Sequence, residues 1–140
     1  MPGLWRIPRG SLSEPAGRNR EIPRGPVFDL AVLQGLIANG SLGEDEVWVA
    51  TDRCERDLEN EQWDYGTVLH LLSCLDTGDF KSAEWCAVKG GAWHPCDVYR
   101  LNFDFVRGVR NPRGIEVYLK FSVTDDGRLT LVLVSCHGSR

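Results

Sequence analysis

The sequence predicts a single α+β domain, with a mainly antiparallel β-sheet and two to three helices packed on one face. Apolar residues between positions 30 and 75 recur at helical spacing, whereas apolar and polar residues alternate in most segments after position 80. Short turns join these alternating segments, which favours an antiparallel meander. At 140 residues, 42% hydrophobic and 26% charged, the chain has the composition of one globular domain.

The first 25 residues are rich in proline, glycine and arginine and show no hydrophobic period. We expect a flexible basic arm or a loosely attached strap here, followed by the domain at residues 26–140. The chain has neither an apolar run as long as a membrane span nor a recognisable secretory signal. We therefore expect a cytoplasmic protein that has no membrane partner.

Three helices are predicted before residue 76. Each begins at a residue that can cap it, and the first ends at Asn39-Gly40, a common C-terminal stop. A short strand or extended connector is expected between the first two helices, because Val47-Trp48-Val49-Ala50 is β-prone and too short for a helix. The predicted helical ranges are 29–39, 51–61 and 64–75.

Four strands are predicted in the second half, at 80–88, 99–106, 115–123 and 129–136. The connections contain strong turn signals, such as Lys89-Gly90-Gly91 and Asp125-Asp126-Gly127. The last strand is apolar on both faces, so it should lie in the middle of the sheet or beneath the third helix.

The third strand of this group has the clearest pattern. Its apolar residues from Ile115 to Val123 point to one face, and Tyr118 and Lys120 point to the other. Those two side chains lie roughly 6–7 Å apart at the rise per residue of a strand, close enough to contact one phosphate. Arg100 joins them if the polar faces of the two strands coincide. The alternative is an ordinary solvated strand face.

The five cysteines indicate neither a disulfide framework nor a zinc knuckle. They are odd in number and widely spaced, and no Cys-x-x-Cys pair occurs. Reduced, mostly buried thiols are expected. One zinc set remains open, although its spacing matches no known ligand set: Cys86, His94, Cys96, Cys136 and His137.

Charge is divided unevenly along the chain. Residues 1–80 hold 7 basic and 14 acidic side chains, whereas residues 81–140 hold 9 basic and 6 acidic ones. This division suits a protein that offers one face to a polyanion and another to a basic or amphipathic partner, although two solvated faces would give the same division.

Four ordered stretches resemble the MqsR family, ribosome-independent mRNA interferase toxins of toxin–antitoxin pairs with a RelE-like fold. They are Leu75-Asp76-Thr77-Gly78-Asp79-Phe80-Lys81-Ser82, Trp93-His94-Pro95-Cys96-Asp97-Val98-Tyr99-Arg100, Val117-Tyr118-Leu119-Lys120-Phe121-Ser122-Val123 and the final apolar strand ending at Ser135. With the first helix, the likeness covers about residues 26–136.

The resemblance implies that Lys81 and Tyr118 match residues assigned to RNA cleavage in that family. Two positions depart from the family pattern: Cys96 stands where a catalytic glutamine is expected, and Phe80 replaces a tyrosine. Arg100 would hold the phosphate, and His94 is the expected substitute acid. Tyr118 would serve as acid or base if nearby cations lower its pKa. The residues expected to bind RNA are Lys120, Tyr99, Asn102 and Arg113.

The implied function is that of a type II toxin, a metal-independent endoribonuclease that cleaves single-stranded mRNA and needs no cofactor. Its partners would be mRNA and a cognate antitoxin, which the resemblance implies is a helix-turn-helix DNA-binding protein. One alternative is a catalytically impaired relative that binds RNA or protein through the same sheet. Another is an unrelated α+β interaction domain. We expect the acidic segment at 44–64 to face away from the RNA.

Overall fold

The computed structural model describes residues 3–15 and 17–138 and has an α+β architecture. Three helices and a mixed six-stranded sheet make up the fold. The helices are α1 (Leu30–Ala38), α2 (Asp52–Glu61) and α3 (Tyr65–Ser73). The strands are β1 (Val47–Val49), β2 (Phe80–Ala87), β3 (Trp93–Asp104), β4 (Val109–Arg110), β5 (Ile115–Asp125) and β6 (Leu129–Gly138).

Local signals in the sequence account for the three helix starts. The side chains of Asp29, Thr51 and Asp64 accept hydrogen bonds from the third residue that follows, at 3.0, 3.1 and 2.8 Å. Such caps satisfy amide groups that the first helical turn leaves without partners. The three predicted helices are therefore confirmed, with every end within two residues of the predicted one.

The sheet has the strand order β1-β6-β5-β3-β2, and β4 pairs with the end of β3. The neighbours β2, β3, β5 and β6 are antiparallel, as the short turns predict. The short strand β1 pairs with β6 in parallel, so the sheet is mixed. Strand β6 lies inside the sheet, as expected, but the helix packed over it is α2 rather than α3.

One sheet face carries the main core. Buried side chains of all three helices share a cluster with Leu101, Phe103, Leu119 and Phe121, the inward-facing residues of β3 and β5. A second, smaller cluster lies on the opposite face, which we call the hairpin cluster. It consists of Ala50, Cys86, Val88, Cys96, Val132 and Val134.

The hairpin cluster forms because the β2–β3 hairpin bends over the sheet. The pairing of β3 with β5 runs from Phe103↔Ile115 to Asp97↔Phe121 and does not extend to the first four residues of β3. At the hairpin tip, the Lys89 amide donates to the carbonyl of Ala50 at 2.9 Å. Ala50 directly follows β1, which lies at the opposite edge of the sheet from β2. This closure buries part of the face that alternation predicts to be open.

The segment at residues 3–15 and 17–25 is a strap packed against the domain rather than a flexible arm. Leu4 and Ile22 are buried in the main core, and the Ile22 amide donates to the Ala83 carbonyl along the free edge of β2. The carboxylate of Asp97, itself fully buried, accepts from the Val27 and Phe28 amides at 2.8 and 2.9 Å. The predicted boundary at residue 26 therefore does not separate an arm from the core.

Candidate active site

Polar side chains from β3, β5 and β6 meet on the sheet face opposite the helices. The register aligns Arg100 with Tyr118 and Tyr118 with His137, while Lys120 pairs with Ser135. Because alternate residues of these strands belong to the core, the intervening polar residues share one surface. We call this group the polar patch: Arg100, Glu116, Tyr118, Lys120 and His137.

Glu116 is the centre of the patch. One carboxylate oxygen accepts the hydroxyl hydrogen of Tyr118 at 2.6 Å, and the other forms an ion pair with the Arg100 guanidinium. These two hydrogen bonds lower the pKa of Glu116, and Lys81 lowers it further by charge attraction. Glu116 is therefore ionised at neutral pH. Sequence reasoning placed Glu116 on this polar face but gave it no role.

Tyr118 has the opposite pKa shift from the one expected. Its hydrogen bond to Glu116 raises the pKa of the phenol, and this effect outweighs the attraction of the Arg100 charge. Tyr118 is therefore a neutral hydrogen-bond donor at neutral pH, which suits an acid rather than a base. The prediction of a lowered pKa was wrong because it counted the cations near Tyr118 and omitted Glu116.

The two lysines predicted for the site occupy different positions around it. Lys120 forms an ion pair with Glu84 of β2 at 2.9 Å. Burial lowers the pKa of Lys120, but the hydrogen bond and charge of Glu84, together with Cys86 and Cys96, raise it overall. Lys81 is exposed at an irregularity in the β2–β3 register, and its charge reaches Glu116. Three cations thus stand against two carboxylates, so the region is only mildly basic.

His137 is a member of the patch that sequence reasoning missed as a catalytic candidate. Its ring lies 5.5 Å from the Tyr118 ring, centroid to centroid, at an interplanar angle of 32°. The predicted last strand stopped at residue 136, and His137 was considered only as a zinc ligand. The cross-strand pairing of Tyr118 with His137 could have revealed it once the β5–β6 hairpin had been aligned.

His94 lies away from the patch. It stands six residues before Arg100 on β3, in the part of the hairpin that bends over the sheet, and it lines hollows with Trp48, Thr124 and Asp126. Burial lowers its pKa. The structure does not bring His94 to Tyr118; the imidazole that lies beside Tyr118 is that of His137.

Two of the residues expected to bind RNA have structural roles instead. Tyr99 is 1% exposed and lies in the core, stacked on Phe121 with ring centroids 5.9 Å apart. Tyr99 alternates along the strand with Leu101 and Phe103, so the sequence pattern already placed its side chain on the inward face. The Asn102 amide donates to the carbonyls of Pro112 and Gly114 and so fixes the turn before β5. Arg113 is exposed in that same turn.

A hollow of about 240 Å³ adjoins the patch, lined by Glu84, Val98, Tyr118, Leu119, Lys120, Ser135 and His137. Larger hollows lie elsewhere, one of about 550 Å³ beneath the strap and one of about 620 Å³ beside α2. The smaller hollow is the better candidate site because it combines a phenol, an imidazole and an ammonium group, whereas carboxylates and apolar side chains dominate the one beside α2.

The zinc set considered from the sequence is not assembled. Cys136 is buried in the main core, whereas Cys86 and Cys96 lie in the hairpin cluster on the other face. Across residues 3–15 and 17–138, no group of three histidine, cysteine, aspartate or glutamate side chains is arranged to hold a metal ion. The described helices include none that is long and apolar enough to cross a membrane.

Comparison of the chain with protein-family models, with curated proteins and with solved structures gives no match. The resemblance to the MqsR family therefore rests on the four short stretches of sequence alone.

Proposed function

We propose that the polar patch is the active site of an endoribonuclease that cleaves single-stranded mRNA, in a toxin of the MqsR type with a RelE-like fold. The observation that carries this proposal is the cluster in which Glu116 joins the hydroxyl of Tyr118 to the guanidinium of Arg100. Such a cluster combines a proton acceptor, a proton donor and a phosphate-binding cation within one small surface.

In the proposed reaction, Glu116 takes the proton of a 2′-hydroxyl, whose oxygen then attacks the adjacent phosphorus. Arg100 and Lys81 stabilise the negative charge that builds on the phosphate oxygens. Tyr118 gives its proton to the 5′-oxygen as the phosphorus–oxygen bond breaks. The products are a 2′,3′-cyclic phosphate and a free 5′-hydroxyl group. These residues complete the reaction without metal or cofactor.

The acidic segment at 44–64 is proposed to meet the antitoxin rather than RNA. Helix α2 packs on the helical side of the sheet through Cys54 and Leu58, opposite the patch. Its carboxylates would attract a basic partner and repel phosphate. Replacement of Glu59 by glutamine is therefore expected to leave RNA cleavage unchanged.

Purified protein on a single-stranded RNA in the presence of a chelator tests the proposal. The variants Tyr118→Phe, Arg100→Ala and Lys81→Ala should each lose roughly 10²-fold in rate. Lys89→Ala is the matched control, because Lys89 forms its ion pairs with Asp52 and Glu55 of α2. Equal cleavage by the parent and all three site variants would mean that the site is misplaced.

The alternative is an RNA-binding relative that does not cut. Its support is the loss of the expected glutamine and tyrosine at Cys96 and Phe80, together with the mild net charge of the patch. Cys96 is fully buried in the hairpin cluster, so the larger glutamine side chain would have to displace its neighbours, and Cys96→Gln should not restore cleavage. RNA binding by a parent that never cuts would favour this alternative.

A further inference from the structure

Cys86 and Cys96 come together on facing strands of the β2–β3 hairpin. Glu84 is directly opposite Cys96, and Cys86 is directly opposite His94, so the two cysteines are diagonal neighbours. Both side chains belong to the hairpin cluster, and the Cys96 thiol donates to the His94 carbonyl at 3.5 Å. The two thiols are thus neighbours within one buried cluster.

Closing a disulfide between diagonal neighbours requires the hairpin to adjust. A disulfide needs a sulfur–sulfur distance of about 2.05 Å, so the strands must approach each other from their hydrogen-bonded separation. The pairing between β3 and β5 ends at Asp97, just before Cys96. The first residues of β3 are therefore not fixed by the centre of the sheet.

The two thiols differ in reactivity and access. The neighbouring Cys96 thiol lowers the pKa of Cys86, opposed by burial and the charge of Glu84 and assisted by the charges of Lys120 and Arg20. Burial raises the pKa of Cys96 well above its usual value. Cys86 is 8% exposed and Cys96 is fully buried. Cys86 is thus the more accessible and the more acidic of the two thiols.

We infer that Cys86 and Cys96 form a dithiol site that closes reversibly to an intramolecular disulfide when it meets a small-molecule disulfide such as oxidised glutathione. The Cys86 thiolate attacks the oxidant, forms a mixed disulfide and releases one glutathione thiolate. Cys96 then loses its proton and attacks the Cys86 sulfur, which releases the second glutathione. Two protein thiols are oxidised and one glutathione disulfide is reduced to two thiols.

The other cysteines do not offer such a pair. Burial raises the pKa of Cys54 to about 12 and raises that of Cys136 well above its usual value, so both thiols are unreactive in the main core. Cys74 is partly exposed at the end of α3, and burial raises its pKa as well. Cys74 is therefore the natural control for oxidation that is not specific to the hairpin.

The test is to incubate the folded full-length chain with oxidised glutathione, alkylate the remaining thiols under denaturing conditions, and map the peptides by mass spectrometry. We expect alkylation of three of the five cysteines, a Cys86–Cys96 crosslink, and recovery of five alkylated thiols after dithiothreitol. Cys74→Ser should form the same crosslink. Alkylation of all five thiols, or a crosslink between any other pair, overturns the inference.

Two further variants test the order of attack. Cys96→Ser should accumulate the mixed disulfide of Cys86 with glutathione, because the second thiol is missing. In Cys86→Ser, the glutathione adduct at Cys96 should form at least about ten-fold more slowly than the Cys86 adduct does in Cys96→Ser, because Cys96 is buried and protonated. Circular dichroism before oxidation establishes that both variants are folded. Equal rates of adduct formation at the two positions would contradict the assignment of Cys86 as the attacking thiol.

Discussion

Glu116 holds the polar patch together, because its two oxygens contact Tyr118 and Arg100. A glutamine at this position could still accept a hydrogen bond but could not take a proton. We therefore expect Glu116→Gln to lower kcat roughly 10²-fold while RNA binds no more weakly, since one negative charge is removed.

Glu84→Gln is the matched control for Glu116→Gln. It removes the ion pair with Lys120, so it should strengthen RNA binding with little change in kcat. Steady-state kinetics on one RNA substrate separates the two effects. If kcat is unchanged in Glu116→Gln, Glu116 is not the proton acceptor.

Asp97 makes stability depend on pH in an unusual direction. Burial raises its pKa from 3.8 to about 6, although the hydrogen bonds from Val27 and Phe28 oppose the shift. The folded state therefore binds the proton more readily than the unfolded state. The contribution of this group to stability is complete below about pH 4 and is lost as pH rises through about 6, by up to about 3 kcal/mol.

Urea unfolding of the parent and of Asp97→Asn at pH 4 and pH 7 measures this effect. Other carboxylates titrate alike in both proteins, so the difference between the two free energies of unfolding isolates residue 97. We expect the difference in favour of the parent to shrink from pH 4 to pH 7. A difference that grows with pH would show that the two amide hydrogen bonds outweigh burial.

Gly114 and Gly35 are expected to respond in opposite ways to replacement by alanine. A Cβ on Gly114 would lie 2.4 Å from backbone atoms of Phe103, whereas nothing lies within 4 Å of a Cβ on Gly35 in α1. Gly114→Ala should therefore destabilise by about 1–3 kcal/mol, and Gly35→Ala should stabilise by roughly 0.5–1 kcal/mol. Thermal unfolding of the two variants checks both signs. Loss of stability in Gly35→Ala would contradict an open environment around a Cβ at this position.

The elements that the sequence predicted correctly depend on local chemistry. Caps at Asp29, Thr51 and Asp64 and the alternation in β5 are readable within a few residues. The parallel pairing of β1 with β6 joins segments about 80 residues apart, and no short-range pattern encodes it. The bend of the β2–β3 hairpin likewise depends on contacts between Lys89 and Ala50, which are distant in sequence.

The candidate site was predicted only in part, because some of its residues are placed by local patterns and others by contacts that are distant in sequence. Arg100, Tyr118 and Lys120 were placed on one face because a strand has a period of two. Their partner Glu116 lies on the same strand, yet its effect on Tyr118 depends on side-chain geometry. His137 became visible only through the β5–β6 register, and His94 was misplaced because nearness to a motif in sequence does not mean nearness in space.

At the scale of the whole molecule, the strap is part of the fold. Leu4 is fully buried, so Leu4→Ala should destabilise by about 2–5 kcal/mol, in the range of core truncations. Leu12→Ala, at a partly buried strap position, should cost less. Chemical denaturation of both variants measures the difference. If Leu4→Ala is as stable as the parent, the strap is a dispensable arm after all.

The proposed RNA cleavage is tested most directly by its chemistry at one phosphate. The measurement compares a single-stranded RNA with the same strand carrying a 2′-deoxyribose at the cleaved nucleotide, both in the presence of a chelator. We predict that the RNA is cut to a 2′,3′-cyclic phosphate and that the deoxy-substituted strand stays intact at that position. Cleavage of the deoxy-substituted bond, or cleavage that appears only when metal is added, would contradict a reaction carried by Glu116, Tyr118 and Arg100.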